Sequence, residues 1–370
     1  MEVRMKNFEC KRLFVYIWTI FCVLVFSLIG CGGTASKKYL FSQSDPGGNW
    51  KMIGFGQHNY GPFNNYGSLT VNAAGEITGG SVTNFGVDIE TFNGGSLTIT
   101  PEGSVTGIID TFLPDSGTSE EQTIPAGQMT LNKNFIVHAV NFTLARKGVG
   151  ILVKRGGDFA ISDLEGTWVF PLEGIFSISV NSSGAITHCT FLPFEGDAKS
   201  CKGNFSITPQ GGVSGGLETI DGKTFKINFD GQMNLNKDSM ILAGMISTRF
   251  EGMAILAVKR AGIFSLDDGE GSWKIFITAY KDVLYGTIKI NSSGIITGGD
   301  WETLKASSGT FKGGTLSLTG QGDVSGIINT STGNSYTILG GQIISTKDLL
   351  GFLVKDEAGL YGVAILVKTP

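Results

Sequence analysis

Three stretches of this chain read almost alike: SLTITPEGSVTG at 96–107, FSITPQGGVSG at 205–215 and LSLTGQGDVSG at 316–326. Inside each, polar and apolar residues alternate. Leu97 and Ile99 share one face of an extended strand, and Ser96, Thr98 and Thr100 share the other. The turn in the middle ends in Gly, which supplies the positive φ that a bulged hairpin demands. A two-residue period rewritten about every 110 residues restricts the chain to tandem copies of one all-β module.

The phrase belongs to a longer repeat. Each copy opens with Phe, then Asp four residues later, then G-x-W: FSQSDPGGNW (41–50), FAISDLEGTW (159–168) and FSLDDGEGSW (264–273). A hairpin follows at 67–80, 175–188 and 286–299, with turns NAAG, NSSG and NSSG. After the quoted phrase come GQMTLNKN (127–134), GQMNLNKD (231–238) and GQIISTKD (341–348). Each copy closes on an apolar strand tipped with cations: GILVKR (150–155), AILAVKR (254–260) and AILVK (364–368). In the first copy, strand candidates begin near Trp50, Gly67, Glu76, Ser96, Val105, Gly127, Phe135 and Val149.

Short connections favour an antiparallel meander, and about eight strands can close into a small barrel that has no free edges. The predicted fold is therefore all-β: three tandem up-and-down barrels over 41–157, 158–262 and 263–370. The quoted phrase is the hairpin between the fourth and fifth strands of each. Leu97, Ile99, Phe176, Ile178, Val180, Ile288 and Ile290 are bulky enough to fill narrow lumens. Only three residues separate Arg155 from Phe159 and Arg260 from Phe264, so a stiff rod of three beads is expected.

The bulk numbers narrow the classes. Gly is abundant, 55 residues against 9 Pro, but has no collagen-like period. The outward strand positions carry Ser and Thr, where a membrane-spanning barrel would need apolar residues. The formal net charge is −4, and no basic cluster exists beyond the extreme N-terminus, which argues against a nucleic-acid partner.

That N-terminus carries Arg4, Lys6, Lys11 and Arg12, then the weakly polar run LFVYIWTIFCVLVFSLIG from 13 to 30, then Cys31 and small residues. A basic head, an apolar middle and small residues at a cleavage point make an export signal. An uncleaved membrane helix is the alternative, because 18 apolar residues nearly span a bilayer. In both cases the basic flank stays inside and the rest is exported. Leu28-Ile29-Gly30-Cys31 resembles the lipobox of bacterial lipoproteins. The resemblance implies a signal peptide over 1–30, a lipidated Cys31 that attaches the protein to a membrane, and a tether over 31–40. Gly32 in place of Asp implies outer-membrane sorting, on either the periplasmic or the cell-surface face.

Cys10 and Cys22 would leave with the signal. Cys189 and Cys201 flank FLPFEGDAKS between two strand-like runs. In an oxidising envelope they can pair as a local staple worth about 3 kcal/mol by the chain-entropy model; two free thiols are the alternative.

A G-x-W on the first strand and a cation ending the last resembles the calycin superfamily of lipocalins and avidins. That resemblance implies a Trp closing one end of each barrel with a cation stacked on its ring. The matching residues are Trp50 with Lys154 or Arg155, Trp168 with Lys259 or Arg260, and Trp273 with Lys368.

Catalytic chemistry is hard to place. GVSGG at 212–216 satisfies G-x-S-x-G, but it begins a strand, and the motif works only on a strand-to-helix turn. His58, His138 and His188 lie in separate contexts with no metal-ligand spacing. His188 and Cys189 are adjacent on a strand and point to opposite faces. Asp45, Asp163 and Asp268 recur where a turn needs a cap. Gln128, Gln232 and Gln342 either satisfy backbone groups or line a pocket. The segment GFGQHNYGPFNNYG (54–67) is private to the first copy and is read as a loop. Its His58, Tyr60, Phe63 and Tyr66 suit recognition of a sugar or protein, or an ordinary Gly-rich loop. The chain is thus expected to be a lipid-anchored envelope protein with no enzyme activity, cofactor or metal. Its barrels would bind an envelope protein or glycan, or carry a small apolar ligand; its oligomeric state is open.

Overall fold

The computed structural model describes residues 40–370 except 59–60, 85–88, 115, 143–145, 173, 194–195, 221–225, 247–250 and 280–281. The export signal, Cys31 and all but the last residue of the tether lie outside the described residues. Residues 40–370 form one compact unit.

Three closed eight-stranded antiparallel barrels follow one another along the chain. The first runs β1 (Gly48–His58), β2 (Gly61–Val71), β3 (Ile77–Asn84), β4 (Ile89–Ile99), β5 (Ser104–Leu113), β6 (Thr118–Met129), β7 (Phe135–Phe142) and β8 (Lys147–Lys154). The second holds β9 (Gly166–Pro171), β10 (Gly174–Val180), β11 (Ile186–Pro193), β12 (Lys199–Ile207), β13 (Gly212–Thr219), β14 (Lys226–Met233), β15 (Ser239–Ile246) and β16 (Glu251–Lys259). The third holds β17 (Gly271–Ala279), β18 (Asp282–Ile290), β19 (Ile296–Thr303), β20 (Ser308–Leu318), β21 (Asp323–Thr330), β22 (Ser335–Ile343), β23 (Leu349–Asp356) and β24 (Tyr361–Lys368). In each barrel the Trp strand pairs with the Lys-tipped strand, through Trp50↔Lys154, Trp168↔Lys259 and Trp273↔Lys368.

Several strands start earlier than the sequence periodicity suggests. β2, β4 and β6 begin at Gly61, Ile89 and Thr118, where Gly, Asn and Glu interrupt the apolar alternation. The residues at 54–67 are accordingly not a loop. They form a hairpin whose strands pair from Gly48↔Val71 up to His58↔Gly61. Backbone hydrogen bonding tolerates glycine wherever the neighbouring strands supply the register.

The rod is also corrected: the barrels pack side by side. Their outward faces share a second apolar core made of Ile53, Phe55, Val137 and Ile151 of the first, Ile241 and Leu256 of the second, and Phe276, Ile365 and Val367 of the third. Strands such as β8, β15 and β23 are therefore buried on both faces over most of their length. The physical cause was present in the closing strands GILVK, AILAVK and AILVK, which are apolar at consecutive positions and so have no face fit for water.

Each barrel has a closed end, where Trp50, Trp168 and Trp273 are fully buried, and an opposite open end. Chain entry at Phe41 and both linkers (155–158 and 260–263) lie at closed ends. The β6–β7, β14–β15 and β22–β23 turns meet there. The Asn132 amide donates to Asp348 Oδ2 (3.3 Å) and its side chain to Thr346 Oγ1 (3.2 Å). Ser345 Oγ donates to Asp238, joining the third barrel to the second. The three closed ends thus face the same side.

Candidate functional site

The closed end of each barrel is built from the same residues in the same geometry. The Trp indole N–H donates to a backbone carbonyl four residues upstream, of Pro46 (2.7 Å), Leu164 (2.8 Å) or Gly269 (2.9 Å). The ammonium of the last strand lies over the indole: Lys154 at 5.3 Å from the Trp50 ring centre, Lys259 at 5.6 Å from Trp168, and Lys368 at 5.2 Å from Trp273. Each of these lysines also donates to the carbonyl of the recurring Asp, at 3.1–3.2 Å. Burial lowers the pKa of all three, partly offset by Asp45, Asp163 and Asp268. Lys154 and Lys259 hold these positions and Arg155 and Arg260 do not. Arg260 forms an ion pair with Asp323 of the third barrel instead. Arg155 donates its backbone N–H to Asn49.

The recurring aspartates cap their turns, accepting from the backbone N–H of Ser42, Ala160 and Ser265 at 2.8 Å. Each also meets a second lysine at 2.8 Å: Lys133 with Asp45, Lys237 with Asp163, Lys347 with Asp268. Burial works to raise these carboxyl pKa values, but the lysine and the turn N–H outweigh it and the net shift is downward. Lys133, Lys237 and Lys347 sit at φ near +60°, a conformation uncommon for a side-chain-bearing residue, and reach over Phe41, Phe159 and Phe264 at 5.4–5.7 Å. The reading from sequence missed these lysines, although N-K-N, N-K-D and T-K-D recur in register. The three phenylalanines plug the barrels.

Gln128, Gln232 and Gln342 donate to the carbonyls of Glu102, Gln210 and Gln321 at 3.0, 2.9 and 2.6 Å. They close the turn of the repeated phrase. Its glycines, Gly103, Gly211 and Gly322, have φ of +82° to +84°, and a Cβ there would lie 2.5–2.8 Å from the Gln amide and the Phe ring. Only Gly fits, and so the phrase is written three times.

Cys189 on β11 and Cys201 on β12 form a disulfide with Cα atoms 5.0 Å apart. Ser214 lies inside β13, not on a strand-to-helix turn, with its hydroxyl 2.7 Å from that of Ser206. His188 is exposed and pairs with Thr190 (3.1 Å). Of the residues named for recognition, Tyr60 and the side chains of His58 and Phe63 lie outside the described residues. Tyr66 is on β2, half-buried against the shared core with Lys51 4.5 Å from its ring. Burial, helped by Asp230, pushes its pKa up to about 12. Among the described residues no group of three or more His, Cys, Asp or Glu could hold a metal.

The lumens differ. The second barrel is filled with aromatic rings, Phe170 stacked on Phe176 at 4.8 Å and Phe176 on Phe191 at 4.4 Å. The third buries Trp301, Phe311 and Phe352. The first also buries Asn65, Glu90, Thr111, Glu120, Gln122 and His138. Arg146 lies 2.5 Å from Glu120 and 3.6 Å from Glu90. Burial lowers the His138 pKa to about 4.

No protein-family model and no curated protein matches the chain. Similar solved structures include a point mutant of transferrin binding protein B from Haemophilus parasuis Hp5, 9% identical with a TM-score of 0.27, covering 87% of this chain and 75% of that one. Another is the isotype 1 transferrin binding protein B of serogroup B Neisseria meningitidis, 9% identical, TM-score 0.28, covering 87% and 76%. A porin-like protein from Bacteroides uniformis is 11% identical with a TM-score of 0.14, covering 88% and 98%. Likeness at this level carries no argument about relationship or activity.

Proposed function

We propose that the chain is a lipid-anchored envelope protein, attached through Cys31, whose three-barrel unit binds a protein or glycan without catalysis. The observation that carries this reading is that chain entry and both linkers lie on one face with the closed ends. The nine residues that follow Cys31, through Leu40, reach roughly 30 Å when extended, which keeps that face toward the membrane. Exposed Leu40, Leu131, Leu235 and Ile263 on the same side agree with it. The open ends then point outward and carry exposed Ile89, Leu192 and Ile220 beside the ends of β1 and β2. Single apolar residues on loop rims are suited to partner contact. The filled second and third lumens favour surface contact over carriage of an apolar ligand.

Two measurements test this. Palmitate labelling of intact cells should mark the wild type and leave Cys31→Ala unmarked. Binding to arrays of envelope glycans and extracellular proteins should be detectable for the wild type and lost in an Ile89→Ser/Leu192→Ser/Ile220→Ser variant whose circular dichroism is unchanged. Equal binding by the two proteins would refute the open-end assignment.

A further inference from the structure

The outer wall of the second barrel over β12, β13 and β14 departs from its siblings. Cys201, Phe205, Leu217, Ile227 and Phe229 of these strands are buried, so the residues between them point away from the lumen. Paired across the strands, these make a row of Asn204, Gly216 and Asn228, and beside it a row of Lys202, Glu218 and Lys226. The matching first row is Ser96, Ile108 and Thr123 in the first barrel, and Thr315, Ile327 and Thr337 in the third. The matching second row is Gly94, Asp110 and Glu121, or Gly313, Asn329 and Ser335. The second barrel thus replaces a central Ile by Gly, flanks it with two amides and sets two lysines alongside.

The result is a cavity of about 440 Å³ walled by these two rows. Ligand pockets span roughly 300–1,000 Å³. Gly216 is not held in the left-handed region, and a Cβ there would lie 3.1 Å from Asn228 Oδ1, a close but attainable contact. The glycine therefore supplies space and not a turn. Asn204 and Asn228 stand two strand spacings apart, about 10 Å, and the lysine row lies roughly 7 Å further along the strands. Glu218 is shared by two ammonium groups, Lys202 at 3.0 Å and Lys226 at 3.8 Å, so the described wall carries one positive charge in excess. Asp230, the next outward residue of β14, is not part of the wall and acts on Lys51 and Tyr66 of the first barrel.

We propose that this cavity binds one acidic sugar unit of a glycan, a pyranose bearing a carboxylate. The ammonium groups of Lys202 and Lys226 take the carboxylate through charge-assisted hydrogen bonds. Each Asn amide both donates and accepts, as do the ring hydroxyls it would meet. The distance between the two rows is about the length of such a sugar from its carboxylate to the far hydroxyls. The side chains facing the cavity are polar, which disfavours an apolar ligand. Ile220 is two residues from Glu218, so the cavity adjoins the open end; the inference rests on the open-end reading and gives the class of glycan.

The test uses full-length protein in detergent. Methyl glucuronide, methyl galacturonide and the methyl glycoside of N-acetylneuraminic acid are titrated in and followed by saturation-transfer NMR. Methyl glucoside, sodium acetate and sodium chloride serve as controls. At least one acidic sugar should bind saturably, tenfold or more tighter than methyl glucoside and acetate. Gly216→Ile restores the residue type that both siblings carry at this position and should abolish binding while circular dichroism stays unchanged. Lys226→Gln should weaken binding of the acidic sugar tenfold or more and leave methyl glucoside unaffected. Glu218→Gln, which frees both ammonium groups, should tighten it severalfold. No saturable binding of any acidic sugar, equal affinity for methyl glucoside or for acetate, or full binding by Gly216→Ile would each overturn the proposal. The rim residues Ile89, Leu192 and Ile220 are not in the cavity wall. Binding of an acidic sugar that survives their substitution would count against the rim assignment and uphold the cavity.

Discussion

Lys237 and Lys259 divide the work at the closed end of the second barrel. One salt-bridges the turn Asp163 and the other stacks on Trp168. Lys259→Met keeps the stem and removes the charge, the indole contact and the bond to the Asp163 carbonyl. It should cost about 1–2 kcal/mol in urea unfolding. Trp168→Ala removes the whole buried ring and should cost about 3–5 kcal/mol. His138 gives a pH signature. Its folded pKa is depressed to about 4 from 6.5. Between those values the unfolded chain binds the proton and the folded one does not, so stability falls as pH drops. Denaturation at pH 7 and pH 4.5 should differ by about 2–3 kcal/mol from this residue alone, and His138→Leu should lose that part of the difference.

At the scale of the element, the barrels are closed by seams of unequal length. Among the described residues β11 and β12 pair through Thr190↔Ser200 and Phe191↔Lys199 alone, while β12 and β13 pair over seven positions. The disulfide of Cys189 and Cys201 extends the short seam by covalent bond. The equivalent β3–β4 and β19–β20 seams pair over three positions each with no such bond. Reduction, or Cys189→Ser with Cys201→Ser, should destabilise the second barrel by about 3 kcal/mol. Hydrogen exchange should then quicken first along β11 and β12; uniform quickening across the chain would show that the bond is not a local staple. Period-two alternation located the strands with bulky inward residues, such as β10, and lost the starts of β2 and β6. There, Gly and Glu are held in the ladder by partners distant in sequence.

For the whole molecule, the shared core decides whether the barrels act as beads or as one body. Side-by-side packing of residues 40–370 gives a radius of gyration of ~20 Å, whereas three barrels in a row would give roughly 26 Å or more. Small-angle scattering distinguishes the two. Leu256→Asp with Phe276→Asp places unpaired charges in the shared core and should loosen the barrels from one another. Cleavage at 155–158 and 260–263 by an added protease should then become rapid, while fluorescence of the buried Trp168 and Trp273 persists. Retention of the wild-type cleavage rate would deny the shared core its role.

The three modules, their strand pairing at Trp50, Trp168 and Trp273, and the turn roles of Gly and Asp follow from the sequence alone. Each depends on neighbours a few residues apart or on a pattern written three times. Tertiary structure decided the rest. Val137 and Ile151 look like ordinary barrel residues until a second barrel covers them, and His138 reads as an isolated histidine until closure turns it inward beside two glycines. Such relations join residues on different strands and different barrels, and no local period along the chain encodes which of them will meet.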